Sequence, residues 1–224
     1  MIKRLLKCIL NNNTIIRFSN IINPHNKKKN LGRGNQFLCD QGVILRGIDI
    51  YIRGSNNRIT IKQNSTLRNC TVKVYGNNNR IEINDNCLIT NGIFWIEDDF
   101  NSILIGNHVT VNGETEFATM EGTCIRIGDD CMFSSDISLR TGDSHSVLDL
   151  YGKRINLSAD ITLQKHIWIG ARSTILKGAY IESNSIIGTG AIVTKRFSNS
   201  NVAIAGNPAE IIKCNVNWDR KRIL

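Results

Sequence analysis

The sequence predicts an all-β protein, a parallel β-helix wound in coils of 18 to 22 residues, and three observations predict it. First, Ile61, Ile83, Ile105 and Ile127 recur every 22 residues, inside related text such as GSNNRITI (54–61) and GNNNRIEI (76–83). Second, a shorter period of six runs through the same region: Ile83, Ile89 and Trp95; Ile105, Val111 and Phe117; Ile127, Phe133 and Leu139; and Ile169, Ile175, Ile181, Ile187 and Val193. A period of six fits neither an amphipathic helix nor a long alternating strand, but it fits a short strand plus a turn, repeated as one face of a prism. Third, the 224 residues include 18 Gly but only 2 Pro, and aromatics make up 6%, so the core must be aliphatic.

The elements follow in chain order. Residues 1–30 read as a basic N-terminal arm, irregular or helical. They hold seven Lys or Arg and no acid. Residues 31–207 read as the β-helix. Asn-rich text punctuates its corners, since Asn and Gly tolerate left-handed backbone. Three six-residue faces make an 18-residue coil, and four extra residues at the GNNN corner make 22. Stacked coils pair their strands in parallel and bury one aliphatic column. The inward register runs through 127, 133 and 139, then meets His145 and stops, to resume cleanly at Ile169. Between lie Asp143-Ser144-His145-Ser146 and a loop-like stretch at 151–160. Residues 208–224 read as a C-terminal segment able to form a helix.

Composition narrows the functional classes. With 41% hydrophobic residues the chain is a folded globular type. No run of 18 apolar residues marks a transmembrane helix, and residues 1–18 lack the apolar run and cleavage site of a secretory signal. Seven cysteines, with no C-x-x-C pair, argue for a reduced, cytoplasmic protein whose cysteines pack in the core. The net charge of +9 is concentrated at the ends: +7 in 1–30, +3 in 213–224 and −1 between them. Such ends suit solubility, an acidic polymer or peripheral contact with an anionic membrane face. No nucleic-acid recognition motif accompanies them, and no nucleic-acid partner is expected.

His145 is the leading catalytic candidate. It stands at the single long interruption, beside Asp143, and a neutral imidazole takes a hydroxyl proton near pH 7. A nearby carboxylate can orient it. His25, His108 and His166 lie in the arm or at solvent-facing repeat positions and read as surface residues.

The segment 166–213, with Trp168-Ile169-Gly170 and Gly206-Asn207-Pro208, resembles the terminal coils of the hexapeptide-repeat acetyltransferases. DSHSVLD (143–149) resembles their catalytic-histidine segment, in the form found in bacterial sugar and capsular-polysaccharide O-acetyltransferases of the polysialate type. The resemblance implies a left-handed β-helix, a hand that periodicity alone does not give and that ordinary crossover chirality would oppose. It implies a homotrimer with acetyl-CoA in the groove between two β-helices, and no metal. His145 then matches the general base. Trp168 matches a tryptophan that holds the acetyl group. Gly170 lies near the main chain expected to stabilise the oxyanion. Ala171 and Thr189 match positions along the pantetheine arm, and Thr194, Lys195 and Lys213 match positions near the nucleotide end. Glu210 departs from the pattern, standing where a basic residue is frequent. The implied activity is O-acetylation of a sugar hydroxyl in a cell-surface polysaccharide, capsular or other, with a sialic-acid-containing glycan among the acceptors it allows. An N-acetyltransferase acting on an amino sugar, a non-catalytic glycan-binding β-solenoid, and a zinc-dependent carbonic anhydrase of the same repeat type remain the alternatives.

Overall fold

The computed structural model describes residues 25–223; the first 24 residues of the expected arm lie outside the described residues. The chain winds as a prism with three sheets, one strand per coil on each face. Face one holds Lys27–Asn30, Asp49–Arg53, Thr71–Tyr75, Gly92–Ile96, Thr115–Thr119, Ile137–Arg140, Thr174–Leu176 and Ile192–Val193. Face two runs from Gln36–Cys39 to Arg196–Phe197, and face three from Ile44–Arg46 to Val202–Gly206. All pairings are parallel until Ala209–Cys214 adds an antiparallel edge strand to face three. No α-helix occurs among the described residues, and none is long and apolar enough to cross a membrane.

The offsets between paired strands reproduce the periods. Ile61 pairs with Ile83 and Ile105 with Ile127, 22 residues apart, whereas Leu163 pairs with Ile181, 18 apart. The aliphatic column is buried: Ile61, Ile83 and Ile105 are 1% exposed, and Ile169, Ile175, Ile181, Ile187 and Val193 are 0% exposed. Burial of this kind stabilises by roughly 25 cal/mol per Å², and three internal rings extend it, Phe94 stacked on Phe117 at 5.3 Å and Phe117 edge to face with Phe133 at 5.7 Å.

The corner between faces one and two carries the extra four residues. There Asn35, Asn57, Asn79 and Asn101 stack, and each Oδ1 accepts the backbone N–H of the corner residue one coil on: Asn57 at 2.9 Å, Asn79 at 2.9 Å, Asn101 at 2.7 Å and Thr123 at 3.1 Å. Corner backbone that has left the sheet is thereby satisfied by side chains, as buried amides require. The glycine after an inward aliphatic has a steric cause. A Cβ on Gly170 would stand 2.6 Å from the backbone nitrogen of Thr189, and one on Gly128 would stand 2.7 Å from that of Lys165. The next coil's main chain occupies that space.

Three expectations need correction. Trp95 is not inward: Phe94 and Ile96 are buried and Trp95, between them, points outward, because a strand alternates. Lys27–Asn30 is no part of an irregular or helical arm, since it pairs with Asp49–Arg53 as the first strand of face one. The C-terminal segment is not helical: Val202–Gly206 still offers an edge, and Ala209–Cys214 pairs with it.

Candidate active site

The register break is an insertion at the corner between faces one and two. Ile125 pairs with Ile161, an offset of 36 residues, so one whole coil's length is spent on residues 141–160. The insertion starts where the Asn ladder ends. Thr123 donates its hydroxyl to Thr141 Oγ1 at 2.6 Å, and Thr141 is fully buried. Beyond Gly142 the chain leaves the prism as a small hairpin. Leu148 bridges Arg154, and Asp149 Oδ1 accepts the N–H groups of Tyr151 and Lys153 at 2.9 Å each. His145 therefore occupies no inward or edge register position. It is exposed, in the ascending limb of the hairpin.

Every anchor of this hairpin comes from the same corner. Ser144 donates to Glu97 Oε2 at 2.8 Å, and Arg154 pairs with Glu121 at 2.6 Å. Lys177 reaches Asp143 Oδ2 at 2.5 Å and the Asn156 carbonyl at 3.2 Å. Asn156 is the hub. Its Nδ2 donates to Asp143 Oδ2 and to the His145 carbonyl, both at 2.7 Å, while its Oδ1 accepts from Val147 N–H at 2.7 Å. The main chain of His145 is thus pinned while its ring stays exposed. Asp143 does not orient that ring as expected: Lys177 and Asn156 hold its carboxylate, and with them its pKa lies below the usual aspartate range. Asn156 and Lys177 were not evident from the sequence. The only trace is a polar Asn between Ile155 and Leu157 in a loop otherwise apolar at those positions.

Trp168 stands elsewhere, on face three. It pairs in register with Met132 and Ile186, is 37% exposed, and has Nε1 3.5 Å from Ser134 Oγ. Face three lies opposite the corner that carries the hairpin, so one chain does not bring His145 and Trp168 together. Gly170 and Ala171, in one coil, and Thr189, in the next, share the corner between faces three and one, where the Ala171 carbonyl accepts Gly190 N–H at 2.9 Å. The N–H of Gly170 is already bonded to the Ile187 carbonyl at 2.7 Å, so it cannot serve an oxyanion without breaking the ladder. Thr194 and Lys195 follow the last strand of face one and are exposed, as is Lys213 on the edge strand. Glu210 does not stand as an isolated negative charge: it pairs with Lys195 at 2.5 Å.

His166 is more than a surface residue. Its ring stacks on Trp218 at 4.3 Å, with Nδ1 2.6 Å from Asp130 Oδ2 and Nε2 3.1 Å from the Trp218 carbonyl. Arg220 bonds Asp130 at 2.8 Å and Thr110 Oγ1 at 2.7 Å. Partial burial pushes Asp130 upward, but His166 and Arg220 outweigh it and hold the carboxyl below its ordinary value. This clasp straps the C-terminal segment over face three beside Trp168, whose ring lies 6.4 Å from that of Trp218. Burial pushes the Cys131 thiol up to about 12, which removes it as a nucleophile. Among the described residues no cluster of three His, Cys, Asp or Glu could hold a metal.

A three-faced solenoid of six-residue repeats, interrupted once by a hairpin presenting a histidine, defines the hexapeptide-repeat class of acetyltransferase, and the chain belongs to that family. With the family comes the left-handed winding. The chain is 34% identical to the solved polySia specific acetyltransferase NeuO, with a TM-score of 0.84, over 89% of this chain and 91% of that one. It is similar to two curated proteins named polysialic acid O-acetyltransferase. That of Escherichia coli O1:K1 / APEC is 36% identical over 121 residues, 54% of this chain and 39% of the relative. That of Neisseria meningitidis is 32% identical over 113 residues, 50% of this chain and 53% of the relative. The matched part thus spans about half or less of these curated relatives. No family model matches the chain.

Proposed function

We propose that the protein transfers acetyl from acetyl-CoA to a hydroxyl of an acidic cell-surface polysaccharide, with His145 as general base, and that it does so as a homotrimer. The observation that carries this reading is the hairpin. Among the described residues it is the long interruption of the coil repeat, and it fixes the backbone of His145 through Asn156 while leaving the imidazole exposed. The relatives that act on polysialic acid suggest the acceptor class, and the basic residues at the two ends of the chain suit a polyanion.

The chemistry is a direct transfer. The acceptor oxygen attacks the thioester carbonyl as His145 takes its proton; the tetrahedral intermediate collapses, the C–S bond breaks, and the imidazolium returns the proton to the CoA thiolate. Asp143 acts at one remove, holding the hairpin through Lys177. Gly170, Ala171, Thr189, Thr194, Lys195 and Lys213 are the positions along which the donor would lie.

Two features support an assembly in which one protomer supplies the His145 hairpin and its neighbour supplies Trp168. The two residues lie on opposite sides of one prism. The hairpin also exposes a set of apolar side chains, with Leu150 101% and Tyr151 96% exposed, which water penalises unless a second surface covers them. Cyclic closure would repeat the shared site three times. A cytoplasmic location, at or near the inner membrane face, is part of the same proposal.

The test is transfer of labelled acetyl from acetyl-CoA to polysialic acid, to neutral glycans and to amino sugars, with the product located by NMR. Acetyl esters on the acidic polymer are expected. Amide products on an amino sugar, or no transfer to any acceptor, would overturn the reading.

A further inference from the structure

We propose that the outer surface of face one, in its first four coils, is a docking platform for the acidic glycan, separate from the catalytic hairpin; the identity of the ligand rests on the function proposed above. Lys29, Tyr51, Lys73 and Trp95 stand opposite one another in strand register, one per coil, all on the outer side. Cations and rings alternate along this row. Lys29 Nζ lies 5.7 Å from the Tyr51 ring centre, and Lys73 Nζ lies 5.3 Å from that of Trp95. Tyr75 fills the diagonal, with its ring 5.7 Å from Tyr51 and 5.4 Å from Trp95. The surface is concave: a hollow of about 380 Å³ is lined by Lys27, Lys28, Lys29, Asp49, Tyr51, Lys73 and Tyr75.

None of these residues is needed to fold the prism, whose interior at this level is filled by Ile50, Ile52, Val72, Val74, Phe94 and Ile96. Three half-exposed rings and three lysines, Lys27, Lys29 and Lys73, on one outer sheet surface therefore call for an occupant. The chemistry selects one. A sugar ring lays its C–H face on an aromatic ring, its carboxylates pair with ammonium groups, and its hydroxyls donate to a carboxylate such as Asp49. A bare polyphosphate offers no ring face to Tyr51, Tyr75 or Trp95. The row also has a direction. Trp95 pairs with Ala118, and Ala118 with Arg140, the residue before the hairpin begins. Trp95 is therefore only two strands, about 10 Å, from the root of the catalytic loop. A polymer held on the platform would be kept near the hairpin of the same protomer, and its effective concentration there would rise.

The experiment measures binding of the full chain to polysialic acid, dextran, polyphosphate and single-stranded DNA, with acetyl transfer to long and short sialic acid acceptors measured in parallel. Trp95→Ala should weaken polysialic acid binding about tenfold, as expected for loss of a stacked ring, and Trp95→Phe should restore most of it. Lys73→Gln should weaken binding and flatten its salt dependence. Both variants should raise KM for the long acceptor and leave KM for the short acceptor unchanged. Unchanged polymer affinity in Trp95→Ala, tighter binding of DNA than of polysialic acid, or conversion of the assembly to monomers by Trp95→Ala would each overturn the platform. If wild-type protein binds the polymer through Trp95 yet transfers no acetyl, the platform stands and the proposed function fails.

Discussion

Replacing Asn156 with Ala tests how the hairpin holds His145. The amide makes three short contacts, Nδ2 to Asp143 and to the His145 carbonyl and Oδ1 to Val147 N–H, each at 2.7 Å, and a longer one in which Oδ1 accepts from Arg154 Nε at 3.2 Å. A net hydrogen bond in a protein is worth roughly 0.5–1.5 kcal/mol, so deleting the three short ones alone costs the ordered hairpin about 2–4 kcal/mol. The prism loses nothing, because its ladder and aliphatic column do not involve Asn156. The expected outcome is a local opening: hydrogen exchange speeds up at 143–156, and the amides of the buried strands keep their protection. If turnover requires the ordered hairpin, kcat/KM falls about 10- to 100-fold, at one decade per 1.4 kcal/mol once the open form dominates. Asn156→Asp sharpens the test. It keeps the acceptor for Val147 but removes both Nδ2 donors and sets a second carboxylate beside Asp143. It should therefore open the hairpin at least as far as Ala does, despite being isosteric. Unchanged exchange at 143–156 in both variants, with kcat/KM within twofold of wild type, would refute the reasoning.

Four further outcomes follow. His145→Ala should cut kcat by about 10²–10⁴-fold with acetyl-CoA affinity nearly unchanged, and retention of more than about a tenth of kcat would place the base elsewhere. Trp168→Ala should slow transfer with little change in Tm, whereas Ile175→Ala, truncated inside the prism, should cost about 2–5 kcal/mol; equal losses of Tm would make Trp168 a packing residue. Mixed with refolding, the two impaired variants His145→Ala and Trp168→Ala should rise to about a quarter of wild-type activity, the random-pairing expectation for sites shared around a ring; no gain over the separate variants would mean that one protomer carries the whole site. Asp143 has its pKa lowered in the folded hairpin by Lys177 and Asn156, so its stabilising contribution is present above its unfolded value, about 3.9, and is lost as pH falls through the lowered folded value. Exchange at 143–156 should stay constant from pH 7 to pH 5 apart from the intrinsic rate, and loss of protection already at pH 6 would exclude the carboxylate as anchor.

Most of the prism was legible because its determinants are local and repeated. The inward isoleucines, the corner asparagines and the glycines meeting the next coil each obey one rule at every level. Trp95 was misplaced because the corner before Gly92–Ile96 is one residue shorter than its successor: the inward Phe94 follows Ile89 by five residues, whereas its partner Phe117 follows Val111 by six. A fixed six-residue count cannot see that missing residue. The position of the break was legible as a loss of period, with His145 inside it. The partners of Asp143 were not legible, because Lys177 is 34 residues away and meets it only through the stacking of coils. The clasp was hidden for the same reason: Trp218 and His166 are 52 residues apart, and nothing periodic links them.

The place of the insertion follows from the mechanics of the solenoid. Strands on all three faces are bonded to the coil on either side, so lengthening one would break two ladders at once. A corner can be lengthened, but only where its own backbone is otherwise satisfied. At the corner of faces one and two this is the work of the Asn ladder up to Thr123, which then hands its hydroxyl to Thr141 in place of another asparagine. The ladder thus closes at the coil where the hairpin leaves. Coils before that point repeat at 22 residues and coils after it at 18, so the hairpin divides a wider half from a narrower one. The wider half bears the ring-and-lysine surface, with Trp95 two strands from the hairpin root; the narrower half bears Trp168, Ala171, Thr189 and Lys195. In the proposed reaction an acceptor would approach from the first half and the donor would lie along the second half of a neighbouring protomer. The hairpin stands between them.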